Sequence, residues 1–325
     1  MIVAQVVPWL LPGDALSNDA MAIGAQLGAR GPTTLHCCGP VHPGLAGLVT
    51  PGDAPRTALM IVHLDERIRP SAPIESLVGP AIARLHGLDP ASPSGISFGR
   101  YELVLANSSW TADGAAERGA RNVQTMAPFL PLDGFMDASP SASNNFGIVT
   151  VGPFRASDRL ADAVLVDHLV RAHFEPRARL RAIGRVLDVP TRGGVTVLSD
   201  ELRLGSPWAG HLGHDDYVRE IAAAGVLLHC ADSTFFGAAL VEAMAAGTPV
   251  VARAGGATAE TLGGAGVLLA ADADLTVMAE AVHAVLSDVA LRHRLREAGR
   301  VRAAELAPVA SAGRLAAVLT SIGWW

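Results

Sequence analysis

The 325-residue chain contains no lysine; all 25 of its basic residues are arginine. Any phosphate contact that an ammonium would make elsewhere must fall here to guanidinium groups, which can bond an oxyanion through two parallel N–H donors. Basic runs and basic–aromatic interleaving are also missing, and the net charge is −6, so nucleic acid is not an expected partner. The three cysteines, Cys37, Cys38 and Cys230, form no C-x-x-C pair. That excludes a disulfide framework and fits a reducing cytoplasm. Adjacent cysteines rarely ligate one zinc, so "LHCC", with His36 and the nearby His42, reads as a strand end. No window of ~18 uncharged apolar residues occurs, which excludes a transmembrane helix. The opening "MIVAQVVPWLLPGD" lacks a basic leader and a small-residue cleavage site, and reads as a buried strand entering a turn rather than a signal peptide.

Hydrophobic residues make up 50% of the chain and charged residues 17%. Extensive burial is therefore expected, in two domains at this length. Strand-like and helix-like segments alternate. "MIVAQVVPWL" leads to a helix over "SNDAMAIGAQLGARG", with Ser17 or Asn18 as N-cap and Gly31 past its end. "TALMIVHL" and "YELVLANSS" read as strands buried on both faces, and "IESLVGPAIARLHGLD" between them as a helix ending near His86 and Gly87. The polar stretch "DASPSASNNF" (137–146) is the expected linker. A second series follows: strand "FGIVTV", helix "LADAVLVDHLVRAHF", strands near "RLRAI" and "GVTVL", helix "DDYVREIAAAG", strand "VLLHCA", helix "AALVEAMAAG" and strand "PVVARA". Three more helices close the chain, the last over "SAGRLAAVLTSIGWW". The expected fold class is α/β, two doubly wound Rossmann-like domains facing across a cleft. The expected division is 1–144, with a final helix over 309–325 crossing back, and 145–308.

In "STFFGAALVEAMAAGTPVVA" a single carboxylate, Glu242, interrupts a small apolar run. It either faces solvent from a core helix or serves a ligand. The strand "VLLHCA" feeds the loop "DSTFFG" into a helix starting near Ala238, a junction that aims free N–H groups at an anion. Gly237 leaves room for close approach, and Glu242, one turn on, can reach two adjacent hydroxyls such as those of a ribose. Other candidates carry bland alternatives. His63 either contacts substrate from a strand end or is partly buried there. His211 and His214 in "HLGH" suit an N-cap before Asp215 and Asp216 better than a metal. Asp65 and Glu66 are adjacent on a strand end and point apart. Glu260 caps a helix or lines the nucleotide pocket.

"FGAALVEAMAAGTPVVARAGGATAETLGGAGVLL" resembles the carboxyl-half signature of retaining GT-B glycosyltransferases of the family-4, or glycosyltransferase group 1, type. "WAGHLGHDDYVREIAAAGVLLHCADS" before it, and "AEAVHAVLSD" and "LRHRLREAGRVRA" after it, extend the resemblance over most of 147–307. In the amino half it is weaker. "PGDALSNDAMAIGAQLGARG" stands at the place of the glycine loop and first helix, "LHGLD" resembles a His-Gly-x-Asp segment, and "LVLANSSWTADGAAERGA" resembles the strand and helix ending that domain.

The resemblance implies a role for each matching residue. Glu242 matches the second glutamate of a Glu-x7-Glu motif and would hold the ribose of a UDP- or GDP-sugar. Phe236 and Gly237 match its Phe-Gly, with main-chain amides from Phe236 to Ala239, Ala238 included, beside the diphosphate. His86 would contact the donor sugar, and Gly13 would approach the diphosphate. Thr234 replaces the motif's first glutamate, a sugar ligand. Pro153 and Asp158 stand where the family has an arginine and a lysine, leaving Arg155, Arg159 or both as the phosphate clamp. The implied activity is a cytoplasmic, metal-independent, retaining transfer to a small-molecule or glycan hydroxyl, natural-product tailoring included. It needs no cofactor beyond the nucleotide sugar as co-substrate, and the leaving phosphate helps deprotonate the acceptor. A protein that binds a nucleotide sugar or a partner without turnover, and a nucleotide-sugar epimerase, are the rival readings.

Overall fold

The computed structural model describes residues 2–54, 59–66, 80–90, 95–139 and 146–324. These form two compact units, Met1–Pro131 with Leu306–Trp325, and Leu132–Glu305. Among the described residues no helix is long and apolar enough to cross a membrane.

The first unit carries β1 (Val3–Val7), α1 (Ala15–Gly28), β2 (Thr33–Cys37), β3 (Leu59–Asp65), β4 (Ala81–Gly87), β5 (Leu103–Ala106), α2 (Ser109–Glu117), β6 (Val123–Thr125) and the last helix of the chain, Pro308–Ser321. Its six strands are parallel in the order β2-β1-β3-β4-β5-β6. Separate apolar clusters cover the sheet. One joins Met60, Val62, Ala83 and Val104, and another joins Ile61, Ile82 and Leu105 to Leu315, Leu319 and Trp324. The closing helix is thus built into this unit through its Leu315–Leu319 face, with Trp324 buried beside it; Trp325 lies outside the described residues.

Residues 81–87 are a strand, not the end of a helix. Every residue of β4 is buried, because helices cover both faces of a parallel sheet, and such a strand shows no alternation. Its Ala, Arg and Leu residues favour helix intrinsically, but pairing with β3 and β5 overrides that preference. Residues 74–79 of the same expected helix lie outside the described residues, as do residues 140–145 of the expected linker. Helix α1 begins earlier than expected. Asp14 is its N-cap and accepts from Ser17 N at 3.0 Å. The helix ends at Gly28, ahead of Gly31.

The second unit comprises α3 (Asp133–Met136), β7 (Gly147–Val151), α4 (Leu160–His173), β8 (Arg179–Ile183), α5 (Val189–Glu201), β9 (Trp208–Gly210), α6 (His214–Ala223), β10 (Val226–His229), α7 (Ala238–Ala245), β11 (Val250–Arg253), α8 (Thr258–Leu262), β12 (Val267–Leu269), α9 (Leu275–Ser287) and α10 (Val289–Glu305). The sheet is again all parallel, ordered β12-β11-β10-β7-β8-β9. Successive strands step away from β7 in one direction as far as β9, and from β10 in the other as far as β12. The chain therefore reverses direction between β7 and β10. That switch point is where open α/β sheets bind ligands, beyond the carboxyl ends of the strands.

"GVTVL" (194–198) is helical, in place of the expected strand. Asp188 caps α5 by accepting from Thr191 N at 2.7 Å, and Pro190 sits in its first turn. Only Val195 and Ser199 are buried on this helix, so it packs one narrow face and leaves Val197 to solvent. Helix α6 is capped by Gly213 and begins with His214, so "HLGH" supplies no side-chain cap.

Candidate functional site

The loops following β7 and β10 meet at the switch point of the second unit. Asp232 N donates to Ser157 O at 2.9 Å. The loop of residues 230–237 is fixed along its length. Ala257 N donates to Thr234 O at 2.7 Å, Thr261 Oγ1 donates to Phe236 O, and Thr234 Oγ1 shares a 2.7 Å hydrogen bond with His229 Nε2. Gly255 and Gly256 make this packing possible. A Cβ at Gly255 would lie 2.1 Å from Asp232 O, and one at Gly256 would lie 2.5 Å from Thr234 O.

Gly237 is required by its own backbone. Its φ is +83°, and a Cβ would meet Leu240 Cδ1 at 2.8 Å and Thr234 Cγ2 at 2.9 Å. Helix α7 starts immediately after it. The N–H groups of Ala238 and Ala239, in the first turn, have no preceding helical carbonyl to bond and face out of the positive end. Phe236 directs its side chain into the core, so only its main chain can serve a ligand.

Glu242 lies one turn along α7 and is half-buried. Tyr217 of α6 donates its hydroxyl to Glu242 Oε2 at 2.6 Å. Burial raises the Glu242 carboxyl above its ordinary range, while the Tyr217 hydrogen bond and the nearby His214 pull it back. The Tyr217 hydroxyl is pushed well above 10, first by burial and then by the Glu242 charge. Burial also pushes His229 down to about 4, so the imidazole on Thr234 is neutral near pH 7.

The two arginines differ. Arg159 projects beside the 230–237 loop, its Nε donating to Asp162 Oδ2 at 2.8 Å and its Nη1 to Asp232 Oδ1 at 3.2 Å. It sits at φ +50°, ψ +44°, where it starts α4. A non-glycine residue held there stores on the order of 1 kcal/mol or more of strain, a pattern that recurs at functional sites. Arg155 precedes a single 3-10 turn in which its N donates to Asp158 Oδ2 at 2.6 Å. Arg159 thus bonds to the 230–237 loop through its side chain, whereas the contact of Arg155 with Asp158 is made by its main chain.

In the first unit, Gly13 adopts φ +70° in the turn before α1. His86, near the end of β4, belongs to a buried chain of hydrogen bonds. Gln5 Nε2 donates to Ala20 O at 3.0 Å, leaving Gln5 Oε1 to accept from His63 Nε2 at 2.9 Å. His63 Nδ1 must then accept from His86 Nε2, also at 2.9 Å. Burial holds His63 well below its usual 6.5, so His63 is a neutral support for His86. Asn107 Nδ2 donates to His86 O at 2.5 Å. With both ring nitrogens bonded and no exposed surface, His63 does not contact substrate, contrary to one of the sequence expectations.

Asp19 Oδ2 lies 3.7 Å from His86 Nε2 and accepts from Arg84 Nε at 2.7 Å. Asp19, His63 and His86 bring ligand-type atoms within 4.8 Å of one another. The guanidinium already on Asp19 and the amide already on His63 account for the cluster by hydrogen bonding alone. Glu66 Oε2 accepts from Asp89 N at 2.8 Å, which ties the end of β3 to the chain just after β4.

Sequence reasoning missed Tyr217, His229, Asp19 and the Gly255–Gly256 pair. The double glycine was visible next to a strand end. Tyr217 and Asp19 carried no local signal, because each acquires its partner only through tertiary packing, whereas His229 meets Thr234 five positions on, in the loop after its own strand.

Two six-stranded parallel sheets, each wrapped by helices, define the GT-B architecture of glycosyltransferases. The family model for glycosyl transferases group 1 matches residues 137–302, more than half of the chain, and the chain belongs to that family. No curated protein matches it in sequence. Among solved structures, Anabaena HepE in complex with UDP and glucose is similar with a TM-score of 0.77 at 17% identity, over 99% of this chain and 100% of that one. Sucrose-phosphate synthase from Thermosynechococcus elongatus gives 0.73 at 17%, over 99% of each chain. WaaG, a glycosyltransferase involved in lipopolysaccharide biosynthesis, gives 0.69 at 17%, over 95% of this chain and 98% of that one. At these identities the likeness is one of fold.

Proposed function

We propose that the protein is a retaining, metal-independent glycosyltransferase that moves a sugar from a UDP- or GDP-sugar to a hydroxyl of a small molecule or glycan, natural products included. One observation carries this. At the switch point of the second unit, an arginine, a helix start and a carboxylate one turn further on adjoin the same loop. The UDP and glucose held by the HepE structure support the choice of ligand class.

In this assignment Glu242 holds the ribose hydroxyls. The amides of Gly237, Ala238 and Ala239, with the Phe236 main chain, face the diphosphate, and Arg155, Arg159 or both neutralise it. Thr234 offers the donor sugar a hydroxyl without charge. On the first unit, His86 is assigned to the sugar and Gly13 to the diphosphate. The bond from the anomeric carbon to the diphosphate oxygen breaks as the acceptor oxygen bonds to the same face. The departing oxygen takes the acceptor's proton, and the arginine and amide dipoles stabilise the charge that builds on it.

Titration calorimetry with UDP, GDP and ADP and their glucose conjugates, followed by donor hydrolysis and transfer assays, tests the proposal. One nucleotide sugar should bind, and Glu242→Ala should weaken it about 10- to 150-fold, the range for a lost charged hydrogen bond. Unchanged affinity would remove the ribose assignment. The uncharged Thr234 favours one alternative, a protein that binds without turnover. Binding with neither hydrolysis nor transfer would establish it.

A further inference from the structure

We propose that Tyr217 is a positioning residue for nucleotide recognition, holding Glu242 so that its remaining acceptor sites meet the two ribose hydroxyls. This rests on the assignment of Glu242 to the ribose, and it adds a residue that the 230–237 loop and α7 do not contain. A glutamate in the middle of a helix has three side-chain torsions, and each must be restrained if both hydroxyls are to be met together. The phenol of Tyr217 supplies a restraint at 2.6 Å, within the range of charge-assisted O–H···O⁻ bonds. It occupies one lone-pair site on Oε2. Oε1 and the other site on Oε2 remain to accept from a vicinal diol.

The phenol is itself held. Tyr217 lies in the first turn of α6, whose His214 cap-end ring flanks the same neighbour. Phe135 of α3, fully buried, meets the Tyr217 ring edge-on at 5.5 Å and 80°, and the His214 ring at 5.8 Å and 89°. Edge-to-face contact is the arrangement that aromatic rings favour, so the packing holds the Tyr217 ring in place. The order of support is therefore Phe135 behind Tyr217, and Tyr217 behind Glu242. A phenylalanine at 217 would keep the ring packing and remove only the donor.

The test compares nucleotides as well as proteins. Dissociation constants are measured by calorimetry for UDP and GDP and for their 2′,3′-dideoxy forms, with wild type, Tyr217→Phe and Glu242→Ala. Tyr217→Phe should weaken the ribonucleotide that binds about 3- to 10-fold and leave its dideoxy form within about twofold of wild type. Equal weakening of both forms, or of neither, would overturn the inference, because a general packing role does not discriminate between them. Glu242→Ala separates the two levels: unchanged ribonucleotide affinity there removes the ribose assignment itself. If Tyr217→Phe fails to fold, Phe135→Leu keeps the hydroxyl and loosens its support. The same ribose-selective loss is then expected, and its absence refutes the chain of support.

Discussion

Asp19→Ala is the most demanding test of the first unit. Asp19 is completely buried on α1, where Oδ2 accepts from Arg84 Nε at 2.7 Å and Oδ1 from Phe129 N at 2.7 Å. Arg84, equally buried, also donates from Nη1 to Met126 O at 2.8 Å and Leu105 O at 3.3 Å, and its Nη2 has no partner among the described residues. Alanine would leave a guanidinium in the interior without its counter-charge, at a loss of about 3–5 kcal/mol. The orphaned Phe129 N–H overlaps with that figure rather than adding fully to it. For a unit of about 150 residues the loss corresponds to a fall in melting temperature of roughly 10–15 °C. Because one nitrogen of the pair is already unsatisfied, the double change Asp19→Leu with Arg84→Met should recover most of the loss. Urea unfolding of wild type, both single variants and the double variant gives the coupling. An Asp19→Ala loss below about 1 kcal/mol would refute this account of the pair.

Two further outcomes follow from the second unit. His229 titrates at about 4 when folded and near 6.5 when unfolded. Between those values the unfolded chain takes up a proton that the folded chain refuses. Stability is therefore fully present above pH 6.5 and lost as pH falls towards 4, by on the order of 3 kcal/mol. Thermal denaturation against pH should show this slope, and His229→Gln should remove part of it; an identical slope in the variant would disprove the contribution. Arg159→Ala should change stability by less than about 1 kcal/mol, since its side chain and Asp232 are well exposed, and Asp162 keeps its buried partner Arg253 when Arg159 is removed. It should nevertheless weaken nucleoside diphosphate binding by about tenfold or more, as for a lost charged hydrogen bond. If calorimetry finds Arg155→Ala damaging and Arg159→Ala harmless, the clamp is Arg155.

The carboxyl half was legible because its signals are local. A β10 strand, a positive-φ glycine and a short helix fall within one uninterrupted stretch, and each follows from residue type. The amino half was less so. Strand β4 reads as a helix because its ionic residue, Arg84, is buried by a partner 65 positions away. Nothing within seven residues of Arg84 announces Asp19. The same holds for Tyr217, which lies 25 positions from Glu242 and is brought to it by the packing of α6 on α7. Periodicity reveals which face of an element is apolar, but not which buried polar atoms will meet across two elements.

The absence of lysine acquires a structural consequence at Arg159. Both of its present partners are carboxylates, Asp162 from the turn that follows it and Asp232 from the 230–237 loop. Asp162 is also held by the buried Arg253, whose Nη1 donates to it at 2.9 Å. Asp232 is more than half exposed and has no such second ion pair among the described residues. A diphosphate arriving at the start of α7 would therefore compete with Asp232 rather than with Asp162. Nε would remain anchored while Nη1 and Nη2 turned to the ligand. A lysine has one nitrogen and could not do both, whereas a guanidinium can keep one edge on a carboxylate and offer another to a phosphate. On this account Asp232→Asn should tighten nucleoside diphosphate binding, and Asp162→Asn should loosen it. Equal effects of the two changes, measured by calorimetry, would show that the arginine does not exchange partners in this way.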